Sequence, residues 1–427
     1  MMAWHLNTSP DLWSFRRLEN LLLRSILLGF VVVAATGLYL RAMPVFNLGG
    51  NGYLHFLHGH SHFAFGGWIA PMLVWVMMRF FPELKKSISF KHWRIIIYLL
   101  VLSSYGMLAF FPVQGYGPIS LFFSTISVIA EIYLAVMVWK ALRNYNNLPH
   151  LFLKAAMVFL VLSTAGPFAT GPIAAMGFKQ SPLYYNAVYF YLHFQLNGFF
   201  IFTAIAALYR ILNVPVKSRQ HSKPVIIAAT AGVALSVFLS FLWNQPGPIY
   251  NIVGFVGALL QLISVVLIVH DLRNAREPDA FGTFLKNFLI AVLMFKSVLQ
   301  CLSAIPAVAN IAFLHRNFSI AYLHLASIGF LSIFAMLALY SEHLYRNSLR
   351  PAITIIVGTF LCTEILIVIN GVNSLLALNI KHVPELLFWC SIPFAIGATW
   401  LLGNLWHRSF EKSSPALNSL AKYSRAF

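Results

Sequence analysis

The chain has 427 residues, 59% of them hydrophobic and only 9% charged, with a mean hydropathy of +0.78. That balance excludes a soluble domain, because apolar runs of about 20 residues recur along the whole length, as in membrane-spanning helices. The formal charge of +18 would suit nucleic acid, but it sits in short segments between apolar runs, a pattern that orients a chain in a membrane and argues against a nucleic-acid partner.

Twelve spans are expected, at about 21–43, 57–80, 93–112, 118–140, 152–173, 187–209, 223–243, 249–270, 283–305, 318–340, 352–372 and 385–406. Connections are short, so residues 1–427 are expected to form a single polytopic domain in contact with membrane lipids. With the N-terminus taken as cytoplasmic, the far side carries four of the 29 Lys and Arg: Arg41, Lys179, Arg316 and Lys381. Lys296 lies inside the ninth span and the other 24 are cytoplasmic. This asymmetry predicts both termini inside. The polar first twenty residues and Arg16, Arg17 and Arg24 read as the flank of an uncleaved first span. Cys301, Cys362 and Cys390 are scattered through apolar spans without a CxxC, so neither a disulfide framework nor a thiolate zinc site is expected.

The second span opens with His55 and then HGHSHFAFGG at 58–67. His58 and His62, at i and i+4, share a helical face, and His60 points elsewhere. The fourth span carries Glu131. The sixth carries HFQLNG from His193, preceded by Tyr191-Leu192. The ninth carries Lys296, the tenth carries HLASIG from His324, preceded by Tyr322-Leu323, and the eleventh carries Glu364. His62, His193 and His324 are evenly spaced along the chain, and each begins a His-x-x-x-x-Gly pattern that ends at Gly67, Gly198 and Gly329. Gln114 and Gln245 are separated by the same interval. A fixed period implies repeated architecture: three four-helix units at about 21–140, 152–270 and 283–406, with the marked histidines at one depth on spans 2, 6 and 10. The glycines leave room for a flat ligand or a neighbouring helix.

Histidine inside a bilayer is costly and faces a partner or a job, and neutral imidazole is a ligand for iron or copper. Glu131, Lys296 and Glu364 are candidates for a proton relay, or alternatively for a buried lysine–glutamate pair. Glu83, Asp271 and Glu342 sit at inner helix ends and are expected to be interfacial. His92, His150, His221, His270, His343 and His407 fall near the cytoplasmic face, His315 and His382 in outer loops, and His5 in the polar tail.

An all-α membrane chain with three four-helix units and histidines on spans 2, 6 and 10 resembles the catalytic subunit of the haem–copper oxidases and nitric oxide reductases. HFQLNG resembles the His-Leu-Trp-Val-Glu-Gly motif of the reductases. HLASIG resembles the second half of the family's His-x-His-Leu-Ala-Phe-Phe-Gly, and HSHFAFGG resembles the same pattern. The resemblance implies a haem b clamped by His62 (or His58) and His324, in a bacterial cytoplasmic membrane. It implies that His193 would bind a second metal, copper or non-haem iron; His60, nearer the outer surface, is a separate candidate metal ligand. The sequence departs from the family at three places. Tyr322 stands at the high-spin haem ligand position, either as a tyrosinate ligand or as a packing residue. Trp243-Asn244-Gln245 stands where two metal-binding histidines are expected. Gln195 and Asn197 replace the family's acidic and tyrosine residues. These departures imply an incomplete binuclear centre and a haem suited to electron transfer from quinol or a redox partner, or to response to a diatomic gas. The NnrS family of twelve-helix haem proteins is similar in the same features. An active oxidase or reductase, and a haem-free transporter or accessory protein, are the alternative readings.

Overall fold

The computed structural model describes residues 10–48, 52–215, 219–275, 279–342 and 346–406; His5, His343 and His407 lie outside the described residues. Twelve helices are long and apolar enough to cross a membrane: α1 (Ser14–Val45), α2 (Tyr53–Phe80), α3 (Phe90–Gln114), α4 (Pro118–Leu142), α5 (Leu148–Ala175), α6 (Pro182–Ile211), α7 (His221–Asn244), α8 (Pro248–Leu272), α9 (Ala280–Leu302), α10 (Arg316–Ser341), α11 (Arg346–Leu376) and α12 (Val383–Trp406). Among the described residues there is no strand. A helix is what the membrane demands of such segments, since it satisfies each backbone group within the span itself.

All the expected spans but the ninth fall inside these bounds. The ninth ends at Leu302, earlier than expected, because Pro306 opens a separate helix, Pro306–Leu314. The proline ring pushes the residue before it into extended geometry, and Ile305 has ψ 123°. Proline also opens α4, α6 and α8, where its missing N–H costs nothing.

The helices are not equivalent. Of the most apolar stretch of each, 89% is buried in α6, 78% in α2 and 56% in α10, whereas α12 buries 22%. These three central helices touch one another, and the others surround them, with α12 closing the bundle against α1. Each central helix leaves the α form just after its marked histidine. π-helical turns occupy Ala64–Ile69, Phe194–Phe200 and Leu325–Ser332. A π turn holds an extra residue, so it re-aims the side chains on either side of it. The space beside the marked glycines Gly67, Gly198 and Gly329 is taken by aromatic side chains, from Phe63 of the same helix in the first case and from neighbouring helices in the other two. A Cβ at Gly198 would stand 2.4 Å from Phe159 of α5, and one at Gly329 would stand 2.6 Å from Phe360 of α11. Of the two expected uses of these glycines, the structure shows the close approach of a neighbouring helix.

The basic end of the bundle is clasped by ion pairs. Arg79 at the end of α2 pairs with Glu342, its Nε donating to Oε1 at 2.7 Å. Arg210, at the end of α6, pairs with Glu83 beyond α2. Tyr209 donates to Asp271 at 2.9 Å, and Tyr340 donates to Asp279 at 2.8 Å. The acidic groups expected at an interface are thus paired inside the protein. His150, expected among the solvated histidines, is buried between Asn147 and Glu83. Burial alone would push the Glu83 carboxyl up, but the hydrogen bond from His150 and the Arg210 guanidinium outweigh it and hold it below the usual glutamate range.

Two tests of this packing are direct. Gly198→Ala should lower the melting temperature of the detergent-solubilised protein, with an overpacking cost of about 1–3 kcal/mol. Gly171→Ala, where a Cβ would meet nothing within 4 Å, should not. Because Glu83 has a lowered value in the folded state, its stabilisation is complete above about pH 4.3, the ordinary glutamate value, and is lost as pH falls through the lower folded value. Thermal unfolding between pH 3 and pH 6 should therefore show an acid limb that is shallower in Glu83→Gln; an identical limb in the variant would refute this account of the clasp.

Candidate functional site

Three polar clusters lie within the bundle, each beside one or two of the central helices. The first joins α1, α2, α10, α11 and α12. His60 and Thr36 meet at 2.9 Å through Nδ1 and Oγ1, while Thr36 Oγ1 donates its own proton to Val32 O at 2.9 Å. The hydroxyl can then only accept, so His60 carries its proton on Nδ1. Gly37 makes this approach possible, since a Cβ there would stand 3.1 Å from the His60 ring. His324 Nδ1 lies 3.2 Å from Glu364 Oε1, which accepts its proton. His60 lies within electrostatic reach of His324 and Arg41. Arg41 donates to Ser391 and lies close to Glu364. Both imidazoles are thus held at Nδ1, and neither Nε2 has a hydrogen-bond partner among the described residues.

The second cluster lies between α2, α3, α4, α5 and α6. The His62 ring stacks on Phe111 at 4.3 Å and 7°, and its Nε2 is 3.2 Å from the Tyr116 hydroxyl. His58 meets the same tyrosine edge-on at 4.8 Å. The shared face expected of His58 and His62 is therefore present, and it is turned toward α3. Of the histidines that open α2, His60 is the one within electrostatic reach of His324, and His58 and His62 turn toward α3. The reason is helical rotation, which sends alternate histidines to opposite sides of α2. Deeper in this cluster Gln195 donates to Glu131 at 3.1 Å, and Ser163 donates to Gln195 at 2.9 Å. Tyr191 lies close to both Glu131 and Tyr116.

The third cluster lies between α6, α7, α9 and α10. His193 donates from Nε2 to Val233 O at 2.8 Å. Its Nδ1 then accepts from Asn197 at 3.3 Å and from Ser240 at 3.4 Å. Both ring nitrogens of His193 thus have partners within the protein. Lys296 donates to Gln300 at 3.1 Å and lies 5.5 Å from the centre of the Tyr322 ring. Tyr322 turns to the same glutamine, at 3.5 Å, and so packs in this cluster away from His60. The alternative of a buried lysine–glutamate pair is overturned: Glu131 bonds Gln195, Glu364 bonds His324, and Lys296 has no carboxylate within ion-pair distance among the described residues. A cavity of about 20 Å³, room for about one water, separates Lys296 from Asn197, whose Oδ1 is buried without a partner.

Among the described residues no three His, Cys, Asp or Glu side chains are grouped to hold a metal ion. A recess of about 510 Å³ between Trp243, Gln245 and Phe313 is lined by no titratable side chain and belongs to none of the clusters. Sequence reasoning missed Thr36 and Ser391, and it named Arg41 and Gln195 without giving either a partner. Arg41 is assigned by its position to an outer loop; only its contact with Ser391 shows that it turns inward. A polar residue one or two turns from a span's end is the signal that was present.

Lys296→Met should be tolerated, because it removes a buried amine without orphaning a carboxylate. Expression yield and melting temperature of the variant should match the wild type, and a sharp fall in either would reveal an anionic partner for Lys296.

No protein-family model matches the sequence, and no curated protein matches it.

Proposed function

We propose that the chain is a haem-binding electron-transfer protein of a bacterial cytoplasmic membrane, with His60 and His324 as the two axial ligands. The single observation that carries this reading is the matched state of those two histidines. Each is oriented through Nδ1 by a second group, Thr36 or Glu364, and each leaves Nε2 without a hydrogen-bond partner among the described residues. Metal-ligating histidines are held in this way, with the outer hydrogen bond choosing the tautomer and the ring orientation. A haem held by two histidines is coordinatively saturated and supplies one-electron transfer rather than gas binding.

The residues of this chain have separable roles in that reading. Thr36 and Glu364 position the ligands. The Glu364 carboxylate, accepting the His324 proton, makes that imidazole more basic and a stronger donor to oxidised iron. Arg41 balances the Glu364 charge in a medium that offers no water. The engaged nitrogens of His193 argue against a second metal, and hence against oxygen or nitric oxide reduction at a binuclear centre. The recurrence of the π turns in α6 and α10, and of the Arg79 and Arg210 pairs, at the period of the marked histidines supports three four-helix units of the oxidase type. The basic end is the cytoplasmic one in this reading, and electrons arrive from quinol or a membrane redox partner.

The test is an absorption spectrum of the purified protein, oxidised and then dithionite-reduced, with a pyridine haemochrome assay. A sharp reduced α band at about one haem per chain is expected. His60→Ala and His324→Ala should each abolish it, and His62→Ala should leave it intact. Glu364→Gln should keep the band and raise the midpoint potential. Colourless protein from haem-replete cells would sink the proposal and favour the haem-free carrier reading, in which Lys296 and Glu131 would handle protons.

A further inference from the structure

Three helix ends converge on one carboxylate at the basic end of the bundle. Asp279 caps the N-terminus of α9, its Oδ1 accepting from the Gly282 N–H at 2.8 Å. Its Oδ2 accepts from Tyr340 of α10 at 2.8 Å and from Arg350 of α11 at 3.2 Å. Arg346, one turn earlier on α11, stands 3.7 Å from the same oxygen. Two guanidiniums thus share one carboxylate, which leaves one positive charge of the group in surplus. Aromatic faces hold both arginines in place. Arg346 lies 5.5 Å from the centre of the Tyr340 ring, and Arg350 lies 5.9 Å from Tyr340 and 5.9 Å from Phe281. Arg346 Nη2 and Arg350 Nη1 donate to nothing among the described residues, and the Arg350 side chain is 41% exposed.

An apolar strip runs from these arginines along α9. Phe281, Phe284 and Phe288 recur at helical spacing, with successive ring centres 6.0 and 6.1 Å apart. Phe284 is 47% exposed, so this side of the span faces lipid. α9 and α11 both pack on α10, and further along the span Phe288 meets Phe360 of α11 at 6.4 Å. A ligand that suits both parts has a negative head and a hydrocarbon tail. Guanidinium presents paired donors in a fixed fork, the geometry that a phosphate accepts. A phosphodiester carries one negative charge and would cancel the surplus, whereas the ammonium of a zwitterionic lipid would restore it.

We propose that Arg346 and Arg350 form a seat for the phosphate of an anionic phospholipid of the phosphatidylglycerol type, with Phe281, Phe284 and Phe288 as the track for its acyl chain. The bound lipid ties α9 to α11 at the basic end. The seat stands on the shared carboxylate and the aromatic strip, and does not rest on the haem reading.

The test uses the full-length protein, delipidated in a maltoside detergent and titrated with lipids under native mass spectrometry. Phosphatidylglycerol should bind more tightly than phosphatidylethanolamine with the same acyl chains. Arg350→Gln should weaken phosphatidylglycerol about fivefold, the equivalent of about 1 kcal/mol for one arginine at an anionic surface. Lys140→Gln, which removes an exposed cation from the last turn of α4, should not weaken it. Phe284→Ala should weaken the lipid as well, and inorganic phosphate should fail to displace it. Equal affinity for the two lipids, or unchanged affinity in Arg350→Gln, would overturn the seat. Displacement by inorganic phosphate, with Phe284→Ala binding as wild type, would overturn the lipid as the source of the phosphate. The lipid comparison is made on the wild-type protein, so it decides the matter even where a variant fails to fold.

Discussion

A polar side chain in the hydrocarbon layer can bond only to protein, and this constraint shapes the whole interior of the bundle. Most of the buried histidines and carboxylates take a partner from another helix. The partners come from α1 for His60, α11 for His324, α7 for His193, α3 and its following turn for His62, and α6 for Glu131. The central helices α2, α6 and α10 are held where they are partly because these bonds have nowhere else to form.

The same constraint separates the histidines chemically. A ring that donates from one nitrogen and accepts at the other, as His193 does, has spent both of its bonding directions. A ring held only at Nδ1, as His60 and His324 are, keeps a lone pair and a fixed direction for it. Sequence places all four histidines on equivalent helices, yet their hydrogen bonds give them different chemistry. The π turns that follow contribute by opening each central helix at the level where these side chains must diverge.

At the basic end the logic is electrostatic. Arg79 and Arg210 draw in Glu342 and Glu83, so the ends of the central helices are tied to one another rather than left to headgroups. Lys296 has no such partner among the described residues and rests on Gln300 and the face of Tyr322.

Hydropathy alone was enough to locate twelve helices, because the membrane allows few other ways to satisfy the backbone. Periodicity was enough to set His60 apart from His58 and His62, because helix rotation is fixed by geometry. The even spacing of His62, His193 and His324 marked the helices that turned out to be central. What a linear pattern does not contain is which neighbour each face meets. That His60 meets Thr36, that His324 meets Glu364, that Arg41 turns inward to Ser391 and that Lys296 has no carboxylate partner among the described residues all depend on contacts between helices distant in sequence. Those contacts are chosen by side-chain packing and by the need to pair polar groups away from water, and both are properties of the assembled bundle.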